Sequence, residues 1–418
     1  MNTVLVICPT EEDRHNLSQP QITSKYRFIF EGPDVWKPHE FNAIEFIEGV
    51  LDRARKKTLS FDAVIGTDDY PACIVASIIA KELGLPGPRP EAVLLCQHKY
   101  HCRVAQAARL PKITPEFALI DFTKNYKAKE IPLTFPFFLK PVKSYLSMLA
   151  KRVNDENELE EISKLARTKI PPFARPFNEL IRKGGGHFNG IDGNFMIAEE
   201  LLGGQQVSLE GYLYDGNMTA LAIFDSLMHP GTLSFKRFET PSKLPKKVQK
   251  KMCKIAERAV KAVGLDNTCF NIEFFYNRKT GSAHIIEINP RMACQFVDLI
   301  EKVHGWNLYE IQLELALGKR PEQKKKGKQV IAASFPLRVF EDRMVTRIPT
   351  KRELVEIYKK FPEAAIHVLV TEGDRISIYP QDSDSYRYCI VNMTAENRVE
   401  LYRKFEECRK ELRFEFSD

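Results

Sequence analysis

Short apolar runs and amphipathic stretches alternate along the first hundred residues. Residues 4–8 read as a strand, 41–55 as an amphipathic helix, 62–66 as a second, buried strand, and 71–83 as a helix that opens on Pro71 and closes on Gly84. That alternation predicts a parallel sheet with helices on its faces. A turn-rich connector, GLPGPRPEA, leads into a helical stretch over 93–110 that carries Lys99 and Arg103. Residues 135–140, FPFFLK, are strand-like, 151–169 read as a helix starting near Asn154, and 184–193, GGGHFNGIDG, as a mobile glycine-rich loop. The stretch FMIAEELLGGQQVSLEGYLYDG reads as strand, short connector, strand. After 221–228, a loop containing His229, Lys236 and Arg237 leads to a helix over 245–263. Its apolar positions Val248, Met252, Ile255, Ala259 and Val263 form one stripe, and Gly264 ends it. Residues 269–291 then read as a β-hairpin turning at 277–282. Beyond it, 296–317 is helical and KRPEQKKKGKQ is a polar linker. The last ninety or so residues hold strand runs at 330–335, 365–370, 375–379 and 388–392 and helices at 351–360 and 395–412, a small α+β unit.

The hairpin carries the most specific chemistry. On each strand the side chains alternate faces, so Asn271 with Glu273, and Glu287 with Asn289, each point to one side. Two carboxylates and two amides gathered this way suit a hard cation such as Mg²⁺, which takes one or two carboxylates and completes its shell with water and phosphate oxygens. Arg291, two residues on, adds a fixed positive fork. Taken by itself, a solvent-facing hairpin with scattered charges explains the stretch equally well.

Composition narrows the classes without choosing among them. A chain of 418 residues exceeds one ordinary core, and 44% hydrophobic with 28% charged residues is the balance of a soluble globular protein. The longest apolar runs, such as 74–80, are far short of a bilayer span. The N-terminus enters an apolar strand without a basic leader, which predicts a cytoplasmic protein. Nine cysteines, none in a CxxC pair, read as reduced, packed thiols. A net charge of +7 could help attract a polyanion such as ATP and does not by itself indicate nucleic acid; the Lys-rich runs 246–254 and 324–328 read as a solvated helix face and a linker. GxGxxG is absent after the first strand, where CPTEED stands, which argues against a nicotinamide site. Thr67, Asp68 and Asp69 follow the second strand at the carboxyl end, where open sheets bind ligands, or else cap the next helix. Lys140 closes a buried strand, and a buried ammonium needs a partner, for which a phosphate would serve.

Two lysines, a glycine-rich loop, the AEELLGG connector and the pair NIEFF and HIIEINPR, in that order, resemble the ATP-grasp superfamily over roughly residues 1–320. The resemblance implies α/β and α+β multidomain architecture. A Rossmann-like pre-ATP-grasp domain would cover 1–112 and a two-lobed ATP-grasp domain 113–325, with a lid lobe about 135–197 and a metal and phosphate lobe about 198–325. A small α+β C-terminal domain would cover 326–418. By the same likeness Glu273, Glu287 and Asn289 hold Mg²⁺ (Mn²⁺ as a substitute), and Arg291 stabilises the phosphoryl group in transfer. Lys99 and Lys140 neutralise phosphates, and Glu199, with the backbone of Glu200 and Leu202, reads adenine. Gln206 stands where the family commonly has a Glu for the ribose. Lys236 and Arg237, counted with Arg291 as catalytic, would line the acceptor pocket with Glu210 and His229. Two departures stand out: KPVKSYLSMLAKRV keeps Ser147 for the nucleotide but lacks glycine, and MACQF replaces the glycine-rich segment after Arg291. Cys294 reads as a packed thiol and not a nucleophile.

The activity implied is that of an ATP- and Mg²⁺-dependent carboxylate-amine ligase, working through an acylphosphate on small-molecule acid and amine substrates. No nucleic acid or membrane partner is implied, and a homodimer is compatible. Two alternatives stay open: a bicarbonate-activating enzyme like biotin carboxylase or carbamoyl-phosphate synthase, whose N-terminal segment GLPGPRPEAVLLCQHK also resembles, and a regulatory module that binds ATP without turnover.

Overall fold

The computed structural model describes residues 1–35, 40–144, 148–323, 326–379 and 385–418. The first apolar run, β1 (Asn2–Ile7), lies between β2 (Tyr26–Glu31) and β3 (Ala63–Ile65) and pairs in parallel with both, as the α/β alternation predicts. Helices α1 (Glu11–Leu17), α2 (Pro20–Thr23), α3 (Ala43–Arg55) and α4 (Ala72–Glu82) accompany these strands. Every residue of α4 from Ala72 to Ala80 is buried, as befits a helix that is apolar all round.

The helical stretch expected over 93–110 is two helices, α5 (Pro90–Gln97) and α6 (Lys99–Arg109). His98 breaks them with extended backbone, φ −100° and ψ 94°, and its side chain accepts from the His101 amide to cap α6. The break sets Lys99 at a helix N-terminus, where its amide donates to the Val142 carbonyl at 2.8 Å.

A second sheet has the order β4 (Phe117–Ile120), β7 (Met196–Glu200), β5 (Phe137–Pro141), β6 (Lys151–Val153), antiparallel throughout. Helix α7 (Glu156–Gly184) is longer than the sequence predicts, because it runs through Pro171, Pro172 and Pro176. Proline ordinarily ends a helix. Here burial prevails: Ile162, Ala166, Ile170 and Ala174 pack into the core of this sheet, while Phe173, Phe177, Leu180 and Ile181 pack into the core beneath β1 and α4. Residues 151–153, which precede the helix start expected near Asn154, are the edge strand β6.

The third sheet has eight strands. Its order is β12 (Ala283–Asn289), β11 (Thr268–Tyr276), β8 (Gln205–Tyr214), β9 (Asn217–Met228), β10 (Phe235–Thr240), β13 (Ile331–Val339), β16 (Tyr386–Ala395), β15 (Ala365–Val368). β10 replaces part of the loop expected before α8 (Lys246–Ala262). The single helix expected over 296–317 is a 3-10 turn at Cys294–Phe296 followed by α9 (Val297–His304) and α10 (Leu308–Ala316), because Gly305 takes φ +78° and closes α9. β13 bonds directly onto β10, β16 onto β13 and β15 onto β16, so the C-terminal region extends this sheet. Helices α11 (Lys351–Lys360) and α12 (Arg398–Glu411) and a ribbon of β14 (Met344–Arg347) with β17 (Glu415–Ser417) complete it. Residues 376–378 form a 3-10 turn where a strand was expected.

Candidate active site

The hairpin forms as its alternation predicts, and its register brings the chemistry together. Glu273 on β11 lies directly opposite Glu287 on β12, and Asn271 opposite Asn289. Like charges directly opposed on a sheet repel. Glu287 is relieved by Lys99, whose Nζ stands 2.8 Å from Oε1. Burial pushes the Glu287 carboxyl up, but Lys99 and Lys140 outweigh it and hold the group below its usual value. For Glu273 the balance is reversed: burial and the neighbouring Glu287 outweigh Arg291, Lys140 and Lys99 and push it up to about 7. A cation between the two would offset that repulsion, and two carboxylates beside an amide oxygen are hard donors of the right kind. Among the described residues no group of three or more His, Cys, Asp or Glu side chains converges, so the remaining ligands of such a cation would come from water or phosphate.

A buried polar chain orients the amides. Glu210 on β8 accepts from Asn271 Nδ2, and Asn289 Nδ2 donates to Asn271 Oδ1 at 2.9 Å. Because a carboxylate only accepts, Asn271 turns its NH₂ toward Glu210 and its oxygen toward Asn289, which leaves Asn289 Oδ1 as an acceptor. Burial pushes Glu210 up to about 7 despite the Asn271 bond and Arg291. Ser208, on β8 directly opposite Glu273, is 4% exposed and its hydroxyl has no hydrogen-bond partner among the described residues.

β12 carries a bulge at Ile286, where two residues face one on β11. The Ile285 and Ile286 carbonyls accept from Arg103 Nη1 and Nη2 at 2.9 and 3.0 Å. Arg103, four residues after Lys99 on α6, also lies 2.6 Å from Glu199, whose other oxygen is 2.6 Å from Lys140 Nζ. Burial opposes ionisation of Glu199, but Arg103 and Lys140 outweigh it and hold the carboxyl at about 2. The Glu199 carboxylate, expected to read adenine, is therefore already shared by two cations. Gln206 donates to Glu273 at 2.9 Å, which leaves its carbonyl oxygen as the acceptor the ribose reading asks of it. The Glu200 amide donates to the Glu116 carbonyl at 3.0 Å, and Leu202 lies in the connector before β8.

The loop after β3 reaches the same place. Asp69 stands 3.3 Å from Arg291 and accepts from Gln97 at 2.6 Å, while Lys143 donates to Gln97 Oε1. Burial opposes its charge, yet Arg291 and Lys143 hold Asp69 well below its usual range.

Two expected residues lie elsewhere. Cross-strand neighbours share a face, and the series Glu273, Ser208, Phe224 with Gln206, Ser226, Phe238 defines the face of the carboxylate pair. Arg237, adjacent to Phe238, points to the opposite face, where it contacts Glu239 at 2.5 Å and stacks over the Tyr402 ring. Lys236 is exposed in the bulge between Phe235 and Arg237. Arg237 thus faces away from the carboxylate pair, and His229 stands at the start of the β9–β10 connection, edge-on to Phe340. Ser147 falls outside the described residues. Cys294 is a packed thiol with its Sγ 3.8 Å from the Thr67 carbonyl, and burial followed by Asp13 and Asp68 pushes its pKa well above the ordinary value. The glycine-rich segment is latched: His98 Nε2 lies 3.1 Å from the carbonyls of both Ile191 and Asp192, and Gly193 donates to Asn178 at 2.7 Å.

Sequence reasoning named Arg103 on its helix without giving it a role, and did not single out Gln97 or Lys143. The spacing of Lys99 and Arg103 on one helix face was the available signal for Arg103; Gln97 and Lys143 carry no local signal.

Comparison with known proteins accords with this geometry. Residues 133–298 match the ATP-grasp domain. A search of the curated proteins found no match to the sequence. Among solved structures, an L-amino acid ligase from Bacillus licheniformis superposes with a TM-score of 0.75 at 18% identity over 100% of this chain and 99% of that one. A phosphoribosylglycinamide synthetase from Anaerococcus prevotii gives 0.66 at 14% identity over 100% of both. A biotin carboxylase from Campylobacter jejuni gives 0.66 at 15% over 100% of this chain and 92% of that one. The chain therefore has the fold of the ATP-grasp superfamily, and residues 133–298 form its ATP-grasp domain.

Proposed function

We propose that this protein is an ATP- and Mg²⁺-dependent ligase that joins a carboxylic acid to an amine. The observation that carries the reading is the opposed pair Glu273 and Glu287 with Lys99 held against one of them and Asn289 beside it. Pure nucleotide binding scarcely needs such a set. The full-length likeness to an L-amino acid ligase favours an acid and an amine over bicarbonate as substrates.

In this reading Glu273, Glu287 and Asn289 Oδ1 would hold the metal, which would supply positive charge to offset that of the phosphates. Lys99 and Lys140 orient the phosphates, each prepositioned by a carboxylate at 2.8 and 2.6 Å. The backbone of Glu200 and Leu202 reads the adenine edge, and the Gln206 carbonyl accepts from the ribose. Arg291, tethered by Asp69, neutralises charge on the γ-phosphoryl group as an oxygen of the acid attacks phosphorus and ADP leaves. The amine nitrogen then attacks the acyl carbon, inorganic phosphate departs, and the nitrogen loses a proton. Catalysis is positioning and electrostatics, with no nucleophilic side chain.

Incubation with ATP, Mg²⁺ or Mn²⁺, and pools of amino acids and other acids, followed by ADP and phosphate release, tests the reading. Release that needs an acid and an amine together is expected. Release that needs bicarbonate would move the protein to the carboxylase class. ATP binding without release under any pool would make it a regulatory module.

A further inference from the structure

Three lysines converge at this site, and their pairing is unequal. Lys99 Nζ has Glu287 at 2.8 Å and Lys140 Nζ has Glu199 at 2.6 Å. Lys143 is 3% exposed, and no carboxylate of the described residues lies within the 4.0 Å of an ion pair. Residues 145–147, which follow it closely, are Tyr, Leu and Ser and carry no acid. Its ammonium donates to Gln97 Oε1 and sits 4.6 Å over the Tyr70 ring. Those contacts are partial compensation: a neutral amide and a ring face replace less hydration than a carboxylate does. Burial accordingly pushes the Lys143 ammonium down to about 8 even with Asp69 nearby.

The backbone fixes where this cation stands. Val142, just before it, accepts from the Lys99 amide at 2.8 Å, and Ser144, just after it, accepts from Lys99 Nζ at 3.2 Å. Lys143 is thus clamped between two anchors on the residue that grips Glu287. Through Gln97 it is also joined to Asp69, which tethers Arg291. Two cations, Lys143 and Arg291, share the one carboxylate of Asp69, so the trio keeps a net positive charge beside the carboxylate pair. A protein gains nothing in stability from a buried cation left short of a partner, and such groups concentrate where a ligand supplies the missing charge.

We propose that Lys143 is a third phosphate-binding lysine, whose ammonium takes an oxygen of the terminal phosphoryl group of a nucleoside triphosphate. The proposal rests on the nucleotide reading given above. The four-carbon stem and three donors of lysine allow the ammonium to leave Gln97 for a phosphate oxygen, and Gln97 stays tied to Asp69.

The test compares wild type with Lys143→Met, which keeps the length and apolar stem, by thermal shift and titration with Mg²⁺ plus either ADP or a non-hydrolysable ATP analogue. Wild type is expected to bind the triphosphate more tightly than ADP. In the variant that preference falls by about 10- to 100-fold, the loss of one charge-assisted hydrogen bond, while ADP affinity holds. The melting temperature without nucleotide stays level or rises. An unchanged triphosphate preference overturns the proposal, as does a fall in nucleotide-free melting temperature shared by Lys143→Gln, which would make the lysine a structural partner of Gln97 and Tyr70. If wild type bound neither nucleotide, the proposed function itself would fall, a result distinct from either.

Discussion

Glu287 is the residue whose replacement separates chemistry from folding most cleanly. It is partly exposed and its partner Lys99 keeps a second acceptor in the Ser144 carbonyl, so Glu287→Gln is expected to fold normally. In the proposed reading Glu287 is a metal ligand, and weakening the metal's electrostatic stabilisation of the phosphoryl group would cost about 10²–10³ in turnover. ADP-release kinetics beside a melting curve check both halves. His98 makes a different prediction. Burial, then the neighbouring His101, lowers its pKa to about 3, so it is neutral in the folded protein and charges near 6.5 once unfolded. A depressed histidine of this kind contributes stability that is present above pH 6.5 and is lost as pH falls toward 3, at up to about 1.4 kcal/mol per pH unit. Denaturant titrations at pH 7.5 and 5.5 should show a steeper loss in wild type than in His98→Gln; equal slopes would mean that His98 is protonated in the fold.

At the scale of elements, most of what was legible in the sequence was periodic. The hairpin and α8 follow from alternation or from a 3.6-residue stripe, because their burial is one-sided, and the parallel strands β1 and β3 from short apolar runs, because both of their faces are buried. What was not legible depended on distant packing. α7 continues through three prolines because two cores claim its face, and the break at His98 exists because the Lys99 amide finds Val142. β10 was hidden because its polar residues Lys236 and Arg237 resemble a loop. Its placement alters the expectation for Arg237: Arg237→Leu should lower the melting temperature by uncoupling Glu239 and Tyr402, and leave kcat and KM unchanged. A kinetic defect without a stability defect would return it to the site. Arg103→Leu is the converse, because it strands the two bulge carbonyls and takes one partner from buried Glu199. A loss of about 3–5 kcal/mol by denaturant titration is expected, as for a broken buried pair. At the connector, Gly204 holds φ +134° and an added Cβ would lie 2.3 Å from the Tyr276 carbonyl oxygen. Gly204→Ala should therefore displace β8 from β11 and weaken nucleotide binding along with stability.

Across the whole molecule, the site is assembled from widely separated parts of the first 291 residues: the loop after β3, the α6 N-terminus, the ends of β5 and β7, and three strands of the large sheet. The clustering of Glu273, Glu287, Asn271 and Asn289 was legible because these residues sit two apart on single strands. Asp69 was read only as part of a ligand-binding or helix-capping loop, Arg103 only as part of its helix, and Gln97 and Lys143 not at all, because their meaning lies in contacts across up to 222 residues of chain. A site built from so many elements ties them together when filled. MgATP at one hundred times its dissociation constant should stabilise the whole fold by about 2.7 kcal/mol, read as a rise in melting temperature that Glu287→Gln reduces. The proposed reaction turns on one step, the attack of a carboxylate oxygen on the γ-phosphorus of ATP. It is tested most directly by supplying acids labelled with ¹⁸O in the carboxylate, together with ATP, Mg²⁺ and an amine, and weighing the inorganic phosphate released. One ¹⁸O per phosphate, equimolar with ADP and with a new amide, is the predicted result; phosphate released without label would contradict it.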